Sequence, residues 1–201
     1  MAKGKDIRGL LQARVNEGKF RMADVDPNST PGMKGGRKKI QRDFEKHQQE
    51  LFELHARLYA EHKRSLLVVL QAMDTGGKDG TITHVVRNFN PQGVMITPFK
   101  QPTPEEKRHG FLWRIRRRLP VAGDIGIFNR SHYEDVLIVR VHDLAPLNVI
   151  ERRYNLINAF ENLTANLGTV NVGMVQLGES SARIYDVVFD DIVVQTARIG
   201  Q

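Results

Sequence analysis

The order of apolar and polar residues divides the chain into stretches of different period. Ile40, Phe44, Leu51, Leu54 and Leu58 recur at helical spacing with charged residues between them. That spacing predicts an amphipathic helix over about residues 40–62. The run SLLVVLQ at 65–71 is short, continuous and β-prone, the pattern of a strand covered on both faces of a parallel sheet. Alternation then continues, with a helix over 81–89, a turn at 90–93, a strand over 94–99 and a helix over 103–119. Pro104 suits the first turn of that helix, and Glu105 and Glu106 stand near the positive end of its dipole. A break at 120–123 leads to a strand over 124–129, a helical segment over 131–140, and a helix over 149–167 closed by Gly168. Residues 169–177 form a fourth candidate strand. Strand–helix alternation of this kind predicts an α/β fold with a mostly parallel sheet.

The two ends carry less pattern. Residues 20–39 hold two prolines, three glycines and a basic cluster without a hydrophobic period, so residues 1–39 are expected to be an arm of solvated loop. Residues 40–177 form the expected core and 178–201 a tail, in which 185–194 suggest a strand with a fragment of helix. The chain has no cysteine, which excludes a disulfide framework or a thiolate metal site and fits a cytoplasmic location. The longest purely aliphatic run, 66–70, is too short to span a bilayer. The N-terminus is basic but broken by charges, unlike a signal peptide, so no membrane partner is expected.

Charge narrows the partner. The formal net charge is +7. Residues 1–153 hold 28 of the 30 Lys and Arg and 18 of the 23 Asp and Glu, a net of +10, whereas residues 154–201 hold 2 and 5, a net of −3. A basic body suits a polyanion such as nucleic acid, nucleotide, polyphosphate or anionic lipid, or merely supplies a solvated surface. The absence of aromatic–basic interleaving or a nucleic-acid motif argues against nucleic acid.

The first strand runs directly into AMDTGGKDG at 72–80, and a helix follows. This is the context of a phosphate-binding loop. Gly76, Gly77 and Gly80 let backbone N–H groups converge on an anion, and Lys78 adds a mobile point charge that follows phosphoryl oxygens. The match to G-x-x-x-x-G-K-[ST] is imperfect: Ala72 stands at the first glycine and Asp79 at the Ser or Thr, while Thr81 offers a hydroxyl two residues on. A glycine-rich turn with a solvated lysine is the plainer alternative. Asp74 sharpens the reading. A carboxylate in a dry phosphate nest would repel its ligand by several kcal/mol, unless it holds a divalent cation or orients a phosphoryl acceptor. Asp74 is thus the candidate metal residue, against the alternative of an Asx turn.

A second polar cluster follows the strand DIGIF at 124–128, in the sequence NRSHYED at 129–135. Ligands of open α/β sheets bind beyond the carboxyl ends of strands, so this cluster is expected to face the phosphate loop. Arg130 suits a transferring phosphoryl group, because guanidinium matches its oxygens in pairs. Asn129 stands where many such enzymes carry a metal-binding Asp. Glu134 is a candidate acidic contact to metal or acceptor nucleotide. For Asp135 a helix N-terminal charge is the preferred reading.

Three segments, QAMDTGGKDGTITHVVRNFNPQGV, FLWRIRRRLP and GDIGIFNRSHYEDVLIVRVH, together resemble the polyphosphate kinase 2 family from about Phe44 to Gly168 or Thr169. The FNRS-type motif is similar to the branch that phosphorylates nucleoside mono- and diphosphates from polyphosphate. The resemblance implies a P-loop kinase-like three-layer α/β/α fold, Mg²⁺ as cofactor, and inorganic polyphosphate and ADP or AMP as partners. It implies catalytic roles for Asp74, Lys78 and Arg130, phosphate binding by Gly76, Gly77, Gly80 and Thr81, and nucleotide binding by Asn129 and Glu134. A basic polyphosphate groove would draw on Lys100, Lys107, Arg108, Arg114, Arg116, Arg117 and Arg118, with Lys100, Arg117 and Arg118 foremost. After residue 170 the sequence resembles none of the family's continuation, including its Arg- and Lys-rich lid. This implies a truncated or frame-altered member. The alternatives are an impaired remnant that binds polyphosphate or nucleotide as a homo-oligomer partner of a full-length copy, and an ATP-dependent nucleotide kinase.

Overall fold

The computed structural model describes residues 12–13, 35–72, 76–166, 170–177 and 187–190. Its strands are β1 (Gln12–Ala13), β2 (Ser65–Ala72), β3 (Val94–Pro98), β4 (Ile125–Asn129), β5 (Val170–Leu177) and β6 (Val187–Asp190). They form one sheet in the order β1-β6-β5-β2-β4-β3. β3, β4, β2 and β5 are all parallel, and β6 turns antiparallel to β5. β5 pairs with β2 along its whole length, from Ser65↔Val170 to Ala72↔Leu177. The expected fourth strand therefore lies beside the strand that leads into the candidate phosphate loop.

Side chains alternate across β2 as strand geometry requires. Leu67 and Val69 point to one face, where they join Phe99, Leu112, Ile115, Phe128, Val136, Ile150, Ile157 and Phe160. That core is closed by helices α3 (Trp113–Arg116), α4 (Glu134–Val141) and α5 (Leu147–Asn166). Leu66, Val68 and Leu70 turn to the other face with Ile125, Ile127, Ile82, Val86 and Phe89. That face is covered by α1 (Arg37–Glu61) and by α2 (Lys78–Thr81) with its π-helical continuation Ile82–Val86. Helices on both faces of a mostly parallel sheet give the expected three-layer α/β/α architecture.

The second face is the looser one. An apolar cavity of about 280 Å³ remains between α1 and the sheet. Leu51 and Leu54, assigned to the buried stripe of α1 by period alone, are 37% and 55% exposed at its rim. Two polar residues anchor the helix instead. Gln48 donates to the His84 carbonyl at 2.6 Å, and the His55 ring lies 3.2 Å from the Gly93 carbonyl.

Two expectations need correction. The helix expected over 103–119 is two short pieces, a 3₁₀ turn at Glu106–Arg108 and α3. Thr103 and Glu106 do form a reciprocal capping box, but the backbone becomes extended at His109, just before Gly110. The solvated loop expected before Lys39 contains β1, paired with β6, and the first turn of α1 begins at Arg37. Within the tail, Val187–Asp190 is strand; the rest of 185–194 and the Gly168 cap lie outside the described residues.

Candidate functional site

Parallel register brings the carboxyl ends of three strands together: Leu70 pairs with Asn129, and Asn129 with Pro98. Just beyond them lies a cleft of about 790 Å³. One wall is the loop and helix start at Gly76, Gly77, Lys78, Asp79 and Gly80. The other is Pro98, Phe99, Lys100 and Gln101, with Asn129 and Arg130 between.

Gly77 adopts φ 81°, a left-handed conformation that turns the chain into α2 and that a side chain would strain. Lys78 is 7% exposed, and its ammonium donates to the Ala72 carbonyl at 2.8 Å. The lysine thus ties the start of α2 to the end of β2. Asp79 accepts from the Asn129 amide at 2.7 Å, which ties the start of α2 to the end of β4. Thr81 donates its hydroxyl to the Gly77 carbonyl at 3.1 Å and lines the apolar cavity. Asp74 lies outside the described residues.

At the end of β4, Arg130 has φ 63° and its N–H donates to the Leu70 carbonyl at 3.0 Å. A left-handed arginine costs of order 1–3 kcal/mol and persists only where its surroundings impose it. Its guanidinium lies 3.8 Å from the Glu134 carboxylate. Glu134 in turn accepts from the Gln71 amide at 2.6 Å, and the Gln71 carbonyl accepts from Ser131 Oγ at 3.1 Å. Behind this layer His132, fully buried, places Nε2 3.0 Å from Glu161, which also accepts from the Tyr133 hydroxyl at 2.8 Å.

The opposite wall rests on Arg114. It is 8% exposed, donates to the Lys100 carbonyl at 2.7 Å and stacks over the Phe99 ring. Its guanidinium also lies 3.8 Å from Asp135 and 4.0 Å from Glu106. Burial pushes the Asp135 carboxyl above its ordinary range, while Arg114 and Arg153 pull it down. Asp135, read from the sequence as a helix N-terminal charge, is thus also the counter-charge of a buried arginine. Arg114, grouped with the groove arginines, is a structural pin. A smaller hollow of about 230 Å³ shares residues 98–101 with the cleft and adds Thr97, Thr103, Glu106, Arg114 and Arg118. Arg117 lies over the Trp113 ring and Arg116 over Phe160.

The structure therefore brings Gly76, Gly77, Lys78, Gly80, Asn129, Arg130 and Lys100 to one cleft and sets Arg118 in the adjoining hollow. Glu134 stands behind Arg130. Sequence reasoning did not select Gln71 or Ser131 for a role, nor pair Asp79 with Asn129. The available signal was a polar residue, Gln71, ending an otherwise apolar strand. Among the described residues no group of three or more His, Asp or Glu could hold a metal ion, and none of the helices is long and apolar enough to cross a membrane.

Comparison with known proteins places the chain in a family. The family model described as Polyphosphate kinase 2 (PPK2) matches residues 34–175. The chain is 44% identical over 153 residues to an AMP/ADP-polyphosphate phosphotransferase of Meiothermus ruber, covering 76% of this chain and 57% of that one. It is 52% identical over 94 residues to an ADP-polyphosphate phosphotransferase of Rhodopseudomonas palustris, covering 47% of this chain and 32% of that one. The crystal structure of polyphosphate kinase 2 from Arthrobacter aurescens superposes with a TM-score of 0.82 at 45% identity, over 88% of this chain and 62% of the other. The chain thus spans little more than half the length of the first of these relatives and about a third of the second.

Proposed function

The chain belongs to the polyphosphate kinase 2 family, and from that premise we propose that it transfers a phosphoryl group between inorganic polyphosphate and a nucleoside mono- or diphosphate. The observation that carries the reading is the cleft itself, where Lys78, Lys100 and Arg130 converge on a glycine-lined loop at the ends of three parallel strands. Phosphoryl transfer needs little covalent help from a protein. It needs phosphates held in line and their charge neutralised. Lys78 and the loop would hold one phosphoryl chain, Arg130 would grip the transferring group, and Lys100 with Arg118 would guide the polyphosphate beyond it. Asn129 and Glu134 would border the acceptor nucleotide, and Arg117 would meet the chain farther out.

Mg²⁺ fits this donor set. Such an ion needs one or two carboxylates and takes its remaining ligands from water and substrate phosphates, and Asp79 faces the cleft beside the amide of Asn129. Asp79 and Asp74 would hold it, and when bound it supplies charge neutralisation at the phosphoryl oxygens.

The test uses purified protein with polyphosphate, Mg²⁺ and either ADP or AMP, and measures the ATP or ADP formed. Product is expected from the wild-type chain and is expected to fall at least about 100-fold in Lys78→Ala, in line with removal of a charge that stabilises the transition state. Equal product from the two proteins would sink the reading. Polyphosphate binding without product would leave the chain a phosphate-binding member of its family.

A further inference from the structure

Gln71 has no role in the mechanism above. It is 4% exposed at the end of β2, immediately before the phosphate loop. Its amide is engaged at both ends: Oε1 accepts from Ser131 Oγ at 3.1 Å, and Nε2 donates to Glu134 Oε1 at 2.6 Å. Ser131 Oγ itself accepts from the Tyr133 N–H at 3.2 Å. A carboxylate can only accept, so the nitrogen of the amide faces Glu134 and the oxygen faces Ser131. The second oxygen of Glu134 then lies 3.8 Å from Arg130 Nη1. The Arg130 backbone is fastened to Leu70, the neighbour of Gln71. A chain of hydrogen bonds thus runs from Tyr133 through Ser131 and Gln71 to Glu134, whose other oxygen faces a guanidinium that lines the cleft.

We propose that Gln71 is a positioning residue for phosphoryl transfer, holding the Glu134 carboxylate in place and through it aiming Arg130 at the transferring group. This inference rests on the phosphotransferase reading. Carboxylate and guanidinium readily form a two-bond fork. In such a fork Arg130 would be turned toward Glu134 and away from a phosphoryl oxygen. With one carboxylate oxygen committed to Gln71, the other meets Arg130 at ion-pair distance, longer than a hydrogen bond. Gln71 is the part of this chain whose removal would release Glu134 without touching substrate.

The test is a double-mutant cycle of Gln71→Met and Glu134→Gln, with steady-state kinetics in polyphosphate and ADP. Gln71→Met keeps the length of the side chain and removes both polar ends. Its kcat is expected to fall about 10- to 100-fold, the scale of a misplaced reacting group, while KM for polyphosphate stays within about threefold because Lys78, Lys100 and Arg118 are untouched. In the Glu134→Gln background the same change is expected to add less than about twofold, since Gln71 acts through Glu134. Gln71→Glu supplies an independent readout within one folded protein. It sets two carboxylates against each other, so one must hold a proton to restore the donor. The alkaline limb of its pH–rate profile is expected to move toward acid relative to wild type. Multiplicative losses in the cycle, or an unmoved profile for Gln71→Glu, would overturn the inference while leaving the phosphotransferase reading standing. A wild-type chain no more active than Lys78→Ala would overturn both together.

Discussion

Arg114 and Arg117 stand three residues apart in one basic cluster and live in opposite surroundings. Arg114 is buried against Phe99, bound to the Lys100 carbonyl and set between two carboxylates. Arg117 is exposed and lies over the Trp113 ring. Removing one member of a buried ion pair leaves the other charge uncompensated and costs about 3–5 kcal/mol. Arg114→Met is therefore expected to lower stability by roughly 3 kcal/mol in urea unfolding, and to loosen the cleft wall at Lys100. Arg117→Ala is expected to stay within about 0.5 kcal/mol of wild type. Its effect belongs to binding, as a rise in KM for polyphosphate that shrinks as salt screens the exposed charge. A stable Arg114→Met with wild-type KM would show that the wall does not depend on this pin. The sequence placed both residues in the groove because a run of basic residues gives no sign of which one turns inward. That choice depends on Lys100 and Asp135, which are 14 and 21 positions away along the chain.

At the scale of elements, adjacent residues of β2 serve two cores of unequal quality. Leu67 is fully buried in the closed face, whereas Leu66 lines the cavity beneath α1. Leu67→Ala is expected to cost about 3–5 kcal/mol, the transfer term plus a new void. Leu66→Ala enlarges an existing opening and is expected to cost about 1–2 kcal/mol. Chemical denaturation of the two variants decides the matter, and equal losses would mean that α1 seals its face as tightly as α5 seals the other. This asymmetry also explains what the sequence disclosed. β2, β4 and α5 were legible because strand and helix periods are local and strong there, and β2 is covered on both faces as its unbroken apolar run implied. α1 was legible as a helix but not in its burial, since its tightest attachments are Gln48 and His55 rather than the apolar stripe. The segment 103–119 failed because a capping box and an arginine-rich run both favour helix locally, yet the chain folds back at His109 and Gly110 to deliver Arg114 to Lys100. The cleft was legible in its glycines, Lys78 and Arg130. Its backing of Gln71, Ser131 and Glu134 was not, because that backing exists only once β2 and β4 lie side by side.

For the molecule as a whole, acid acts on several carboxylates with opposite signs, and one of them can be isolated. Asp43 and Glu61 are held below their ordinary range by hydrogen bonds from Lys39 and Arg64. Stability from such pairs is present above the unfolded value and lost as pH falls through the native one. Both pairs are exposed and screened, so their share is small. Asp135 acts in the other direction. Burial raises its native value above the ordinary 3.8, against the pull of Arg114 and Arg153. The native state then binds the proton more tightly than the unfolded chain. Its contribution is most favourable below 3.8 and is lost as pH rises from there through the raised native value. Rising positive charge in acid destabilises the whole molecule at the same time, so the wild-type curve alone does not reveal the part played by Asp135. Asp135→Asn removes the titration and keeps the shape. The difference in melting temperature, variant minus wild type, is expected to increase with pH from about 4 upward and to level off once Asp135 is ionised in the native state. Differential scanning fluorimetry of both proteins at matched ionic strength from pH 4 to pH 7 measures it. A difference that shrinks with rising pH would mean that pairing with Arg114 outweighs burial, and that the pin beneath the cleft wall is held by a net favourable ion pair rather than by packing around it.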